Sequence, residues 1–146
     1  MRKIFTFFLF SIIFLSNINY SYSIEPDIFI QSTVNRATST LSGNLTKEER
    51  ISELKQIAKD TVDIKGIGYY SLGSHRKALD KDQLSIYSKA FEEYFLKSFS
   101  SRLAEYSNPE IEVISKNKLN KNYTIVLSKL VATESRPEVK IEWRVY

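Results

Sequence analysis

Leu84, Tyr87, Phe91, Tyr94, Phe95, Phe99, Leu103 and Tyr106 recur at helical spacing between Lys81 and Asn108. At about 100° per residue they share roughly half of a helix circumference. An ordinary surface helix carries an apolar stripe only a little over about 100° wide. A face this broad and this aromatic fits either a plain core helix packed on a sheet or the wall of a space for an apolar ligand. The helix is predicted to open near Lys81, where Asp80 and Gln83 have capping-box spacing, and to stop before Asn108-Pro109.

Three shorter helices are predicted before it. Pro26 and Asp27 suit a first turn, Ile30, Val34, Ala37 and Leu41 follow at helical spacing, and Gly43-Asn44 closes the segment. Thr46 with Glu49 three residues on is a capping box for a helix carrying Ile51, Leu54, Ile57 and Ala58 on one face. Asp63 is placed to cap a short third helix that ends at Leu72-Gly73.

Beyond Pro109 the period changes from helical to alternating. Ile111 and Val113 flank Glu112, a polar turn spans Asn117 to Asn122, and Tyr123 to Val131 is rich in β-branched residues. That last segment alternates poorly, which leaves its inward face open. After a turn at Ser135-Arg136-Pro137, Val139, Ile141, Trp143 and Val145 alternate with Lys140, Glu142 and Arg144 as in a half-buried strand. Helices followed by antiparallel strands predict an α+β fold, a meander with helices packed on one face. Three strands make a thin sheet with both outer strands exposed as edges. The last strand stops at Tyr146 without a turn signal or closing helix, so the sequence is expected to be truncated at its C-terminus.

The first residues change the picture. Arg2 and Lys3 precede an apolar run from Ile4 to Leu15 that is broken by Thr6 and Ser11, and Ser21-Tyr22-Ser23 offers small residues at the positions a signal peptidase reads. The run is too short for the roughly 20 residues that span a bilayer. Residues 1–23 are therefore expected to be a signal peptide, and residues 24–146 the mature domain of an exported, periplasmic protein. With no cysteine in the chain, a lipidated cysteine, disulfides and thiolate metal sites are excluded. Removing Arg2 and Lys3 from 21 basic residues leaves 19 against 17 acidic ones, a net of +2. Lysines and glutamates are interspersed without a basic block, which gives nucleic-acid binding little support.

Catalytic chemistry finds little to work with. His75 is the only histidine and sits in a polar, basic turn, so a histidine relay or multi-histidine metal site is unavailable. Helix capping already explains Asp80 and Asp82, and Gly66-Ile67-Gly68 is too short for a phosphate loop. No Gly-x-Ser-x-Gly, His-Glu-x-x-His or Walker pattern occurs. No catalytic residue, metal ligand or cofactor is expected.

Val62-Asp63, Leu72-Gly73, Gln83, the run Phe91-Glu92-Glu93-Tyr94-Phe95 through Leu103 and Tyr106, and then Arg136-Pro137, Val139 and Trp143 together resemble the MlaC family. These are periplasmic phospholipid-binding proteins, also described as toluene-tolerance proteins or auxiliary components of ABC transporters. The resemblance covers nearly all of residues 27–146. The chain departs from the family around His75, where an aromatic residue is usual, and lacks its final strand and C-terminal helix. The resemblance implies a cystatin-like or nuclear-transport-factor-like α+β fold with an apolar pocket between helices and sheet. It implies a non-enzymatic carrier that binds phospholipid acyl chains. The carrier would pass lipid between an outer-membrane lipoprotein–porin complex and an inner-membrane MCE-domain ABC transporter, and so maintain outer-membrane lipid asymmetry. Burial at roughly 0.8 kcal/mol per CH₂ lets apolar walls alone hold such chains. Leu72, Phe91, Phe95, Phe99, Ile125, Leu127, Ile141 and Trp143 are the expected walls. Two other readings remain: a structural or adaptor protein with a solid core, and a small secreted hydrolase or isomerase on a related cone fold.

Overall fold

The computed structural model describes residues 23–146; the expected signal peptide lies outside the described residues except for Ser23. Among the described residues four helices precede three strands: α1 (Pro26–Ser42), α2 (Lys47–Thr61), α3 (Ile64–Leu72), α4 (Lys81–Leu103), β1 (Ile111–Lys118), β2 (Thr124–Leu130) and β3 (Val139–Val145). A 3-10 helix, Gly73–Ala78, joins α3 to α4. The strands form an antiparallel meander in the order β1-β2-β3, so the expected α+β arrangement holds.

Local chemistry sets the helix starts. The Thr46 hydroxyl accepts from the Glu49 amide at 3.2 Å while the Glu49 carboxylate takes the Thr46 amide at 2.8 Å. Asp80 and Gln83 repeat this exchange at 2.8 and 3.0 Å, and the Asp63 carboxylate accepts from the Gly66 amide at 2.9 Å. Gly73 ends α3 at φ +56° and ψ −130°, a conformation that side chains with a Cβ avoid. That turn folds the following 3-10 helix back over α3.

Two strand details differ from the expected boundaries. β1 runs through Asn117 and Lys118, which pair with Ile125 and Thr124, so the polar turn is shorter than Asn117 to Asn122. The Asn120 side-chain oxygen takes the amides of Asn122 and Tyr123 and closes the hairpin. A bulge at Ile114 resets the alternation of β1, placing Val113 opposite Ser128 and Lys116 opposite Val126. Lys116 thereby joins the helix-facing side, where its ammonium bonds Glu25 and Asp27 at 2.7 Å and ties the start of α1 to the sheet.

Among the described residues packing is divided among three apolar clusters. Ile30 and Val34 of α1 pack on fully buried Val126, with Trp143 and Val145 against them. Leu41 meets Leu54 and Ala104, with Leu103 and Tyr106 alongside. Ala58, Ile64 and Leu96 form the third cluster, bordered by Phe91, Phe95 and Phe99. Helix α1 thus bridges sheet and helices, whereas α4 packs chiefly on α2 and α3, and among the described residues no helix packs closely along β3.

The broad face of α4 is corrected in three places. Tyr94 is 68% exposed, and Tyr106 lies beyond the helix end at Leu103, its ring covered by the Arg136 guanidinium at 4.7 Å. The deeply buried positions are Leu96 and Ser100, on the flank of the aromatic face. They face α2 and α3, and the Ser100 hydroxyl satisfies itself on the Leu96 carbonyl at 2.5 Å.

Candidate functional site

Half-buried aromatic rings dominate the middle of α4. Tyr87, Phe91, Phe95 and Phe99 stand four residues apart and stack in sequence, with ring centroids 5.8, 6.2 and 5.4 Å apart. Their i, i+4 spacing makes a continuous ladder nearly parallel to the helix axis. One end is fixed by α3: Gly68 lies against the Phe91 ring, and the Tyr87 hydroxyl bonds the Gly68 carbonyl at 3.2 Å and the Ser71 hydroxyl at 2.9 Å. None of the four rings is fully buried, so the ladder keeps part of its apolar surface exposed.

The second apolar surface is the helix-facing side of β3. In the β2–β3 register Ile141 lies opposite Ser128 and Trp143 opposite Val126, so these four share a face with Val145. Ser128 is 1% exposed, and its hydroxyl accepts the Trp143 indole N–H at 2.7 Å, which fixes the ring orientation. Ile141 and Trp143 remain half-buried because α1 covers the β1–β2 side of this face more fully than β3.

Of the eight expected wall residues, Phe91, Phe95 and Phe99 come together on the ladder, and Ile141 and Trp143 share the helix-facing side of β3. Leu72 is half-buried at the end of α3. Ile125 and Leu127 do not join them: they alternate with Val126 and Ser128 and lie opposite Arg144 and Glu142, on the other face of the sheet. A wall through Ile141 and Trp143 therefore leaves them out. Tyr87 and Ser128, which belong to the two apolar surfaces, were not among the expected residues. The i, i+4 spacing of Tyr87 from Phe91 was a usable signal; the buried serine had none.

A link between β3 and α3 lies near one end of these surfaces. The Tyr146 hydroxyl donates to the Asp63 carboxylate at 2.5 Å, and the Tyr146 ring packs 5.8 Å from that of Tyr123. Donation from Tyr146, together with the Gly66 amide, holds the Asp63 carboxyl below the ordinary carboxylate range. The same bond pushes the Tyr146 phenol up. The depressed carboxyl contributes stability above its unfolded value near pH 4, and this is lost as pH falls through the folded value. The raised phenol contributes fully below about pH 10, and this is lost as pH rises through its folded value. Tyr146→Phe is expected to flatten the alkaline loss of stability and to shallow the acid one. Urea midpoints from pH 3 to 11 check this, and an unchanged profile at both ends would show the bond to be without effect.

A separate open groove of about 640 Å³ lies between α1 and α2, lined by Ile28, Gln31, Asn35, Arg36, Glu53 and Ile57 among others. None of the eight expected wall residues lines it, and the Arg36–Asp60 ion pair at 3.1 Å spans α1 and α2 there. Among the described residues no cluster of histidine or carboxylate side chains could hold a metal ion, and no helix is long and apolar enough to cross a membrane.

Comparison with known proteins places this architecture. The family profile described as MlaC protein matches residues 31–146. Among solved structures, the chain is similar to a phospholipid-binding protein from Ralstonia solanacearum determined in complex with a phospholipid. The two are 12% identical, with a TM-score of 0.67 over 83% of this chain and 70% of that one. At that identity the likeness establishes the fold. No curated protein matches the chain.

Proposed function

From the premise that this chain belongs to the MlaC family, we propose that it is a carrier of phospholipid, holding acyl chains between the α4 ladder and the helix-facing side of β3. The observation that carries this reading is the division of the core. A domain of about this size ordinarily builds one contiguous core, yet here Phe91, Phe95 and Phe99 belong to one cluster and Trp143 to another. Both surfaces are apolar and only half covered. Acyl chains inserted between them would join the two clusters and remove both surfaces from water, at roughly 25 cal/mol per Å² of apolar area. Leu72, Phe91, Phe95, Phe99, Ile141 and Trp143 are the walls in this reading, with Tyr87 at the α3 end. Non-directional burial suffices to hold the cargo, so no bond needs to be made or broken.

The wider role follows the family. The carrier works in the periplasm, after export on a signal peptide, and passes lipid between an outer-membrane lipoprotein–porin complex and an MCE-domain ABC transporter of the inner membrane. The phospholipid described with the structural relative supports the cargo class.

Purification without detergent, followed by organic extraction and mass spectrometry, tests the reading. Phospholipid near one molecule per protein is expected. A preparation that is folded by circular dichroism, carries no lipid and takes up none from phospholipid vesicles would leave the solid-core adaptor as the better account.

A further inference from the structure

The stretch from Ile64 to Leu79 contains Lys65, Arg76 and Lys77 and no aspartate or glutamate. With the histidine neutral it carries +3, whereas residues 24–146 as a whole carry only +2. The rest of that domain therefore sums to −1. Residues 113–133 also hold four lysines and no carboxylate, but two of those, Lys116 and Lys129, are ion-paired with Glu25, Asp27, Glu112 and Glu138. Neighbouring carboxylates are engaged in capping: Asp63 bonds the Gly66 amide and Tyr146, and Asp80 bonds the Gln83 amide. Asp82, in the first turn of α4, is the nearest in sequence that stays outside these bonds.

Two of these cations are held in place. Lys65 Nζ lies 5.6 Å from the centre of the Tyr69 ring, and the Arg76 guanidinium lies 5.8 Å from it. The positive φ of Gly73 makes this possible, because it turns the 3-10 helix back toward α3. Around the same helix, Ile67 is 42% exposed and Tyr70 is 82% exposed. Being three residues apart, they are neighbours on the outer side of α3. The opposite side of α3 is occupied, with Ile64 and Gly68 buried toward α4. A short helix with its inner side packed, an isoleucine and a tyrosine exposed on one flank, and two cations around Tyr69 on the other has the composition of a segment that rests at a membrane surface.

We propose that the outer face of α3, with the 3-10 helix that follows, docks on an anionic phospholipid bilayer. Lys65, Arg76 and Lys77 meet the headgroup phosphates, while Tyr70 and Ile67 enter the interface. The charge excess selects the occupant, since anionic lipid attracts basic residues near its surface and a zwitterionic one does not. The position suits a carrier, because Gly68 of the same helix touches Phe91 of the ladder. The purpose of docking rests on the carrier reading, but the docking itself does not.

Co-sedimentation with vesicles of phosphatidylglycerol mixed with phosphatidylcholine, against phosphatidylcholine alone, tests the proposal. The intact domain is expected in the anionic pellet, releasing as salt is raised. Lys65→Glu/Arg76→Glu/Lys77→Glu is expected to bind at least about tenfold more weakly, from the loss of attraction at three positions. Tyr70→Ser, a substitution at an exposed position, is expected to weaken binding without changing the charge. Lys118→Glu/Lys121→Glu, in the β1–β2 hairpin, is the control for net charge and is expected to sediment as the unaltered domain does. Arg76→Gln/Lys77→Gln replaces the triple variant if that one melts early. Equal binding to both vesicle types, or equal weakening by the hairpin control, would overturn the proposal. Absence from both pellets would also overturn it. Lipid extracted from the Tyr70→Ser protein separates this from the carrier reading: its load is expected to be unchanged, and loss of load together with loss of docking would place Tyr70 in the cargo site instead.

Discussion

Phe95→Asp is expected to abolish co-purification of phospholipid and to destabilise the domain by about 3 kcal/mol or more. The Phe95 ring stands between those of Phe91 and Phe99, at 6.2 and 5.4 Å, so its removal breaks two stacked pairs worth about 0.5–1.5 kcal/mol each. The carboxylate then faces an apolar wall. Desolvating it without a partner costs several kcal/mol, so it would protonate, draw in water or open the wall. An acyl chain can do none of the hydrogen bonding that would relieve the charge. Phe95→Leu keeps an apolar side chain at the position and is expected to retain most of the lipid, at a stability cost of about 1–2 kcal/mol. Lipid per protein by mass spectrometry and urea midpoints for both variants check this. If the Asp variant is folded and carries the usual load, residue 95 is no part of the wall.

That contrast is strongest on α4 because the ladder was legible in the spacing, whereas the strand contributions were not. Phe91, Phe95 and Phe99 at i, i+4 intervals can only line up along one side of a helix. The helix starts were legible for a similar reason: Thr46 with Glu49, and Asp80 with Gln83, are local exchanges of hydrogen bonds that need no tertiary context. β2 offered no such guide. Val126 and Leu130 point to the helices, Ile125 and Leu127 to the other face, and apolar residues on both sides cancel the period-2 signal. The position that breaks the tie is Ser128, a buried polar residue made acceptable by the Trp143 indole, a contact between strands that no single segment announces. The bulge at Ile114 is equally silent, since the extra residue is apolar and only the ion pairs of Lys116 disclose which parity follows it. On α4 itself, periodicity overestimated the face because Leu96 and Ser100 are buried by α2 and α3 arriving from the flank, while Tyr94 is not.

Gly68→Leu is expected to be the most disruptive substitution on α3. A Cβ at this position would lie 2.9 Å from Phe91 Cδ1, closer than real Cβ atoms stand to a neighbour, and a tight 3.1 Å from Cγ. The ring cannot retreat freely, because Phe91 is stacked between Tyr87 and Phe95. Either α3 lifts away from α4 or the ladder shifts, and overpacking of this kind costs about 1–3 kcal/mol. The gain in helix propensity from replacing glycine, at most about 1 kcal/mol, offsets only part of that. Lifting α3 would also break the bond from Tyr87 to the Gly68 carbonyl and move the capping Asp63 away from Tyr146, so more of the wall is exposed at that end. Lower lipid load should accompany the lower urea midpoint. The double variant Gly68→Leu/Phe91→Ala separates contact from backbone effects. If the clash is with the ring, removing the ring makes room for the leucine, and the two substitutions together cost at least about 1 kcal/mol less than the sum of each alone. Additive costs would mean that the leucine is resisted by something other than the Phe91 ring. The lipid load of the double variant then decides whether the ladder at residue 91 or the position of α3 matters more for holding the cargo: recovery with the leucine in place would point to the helix, and continued loss to the ring.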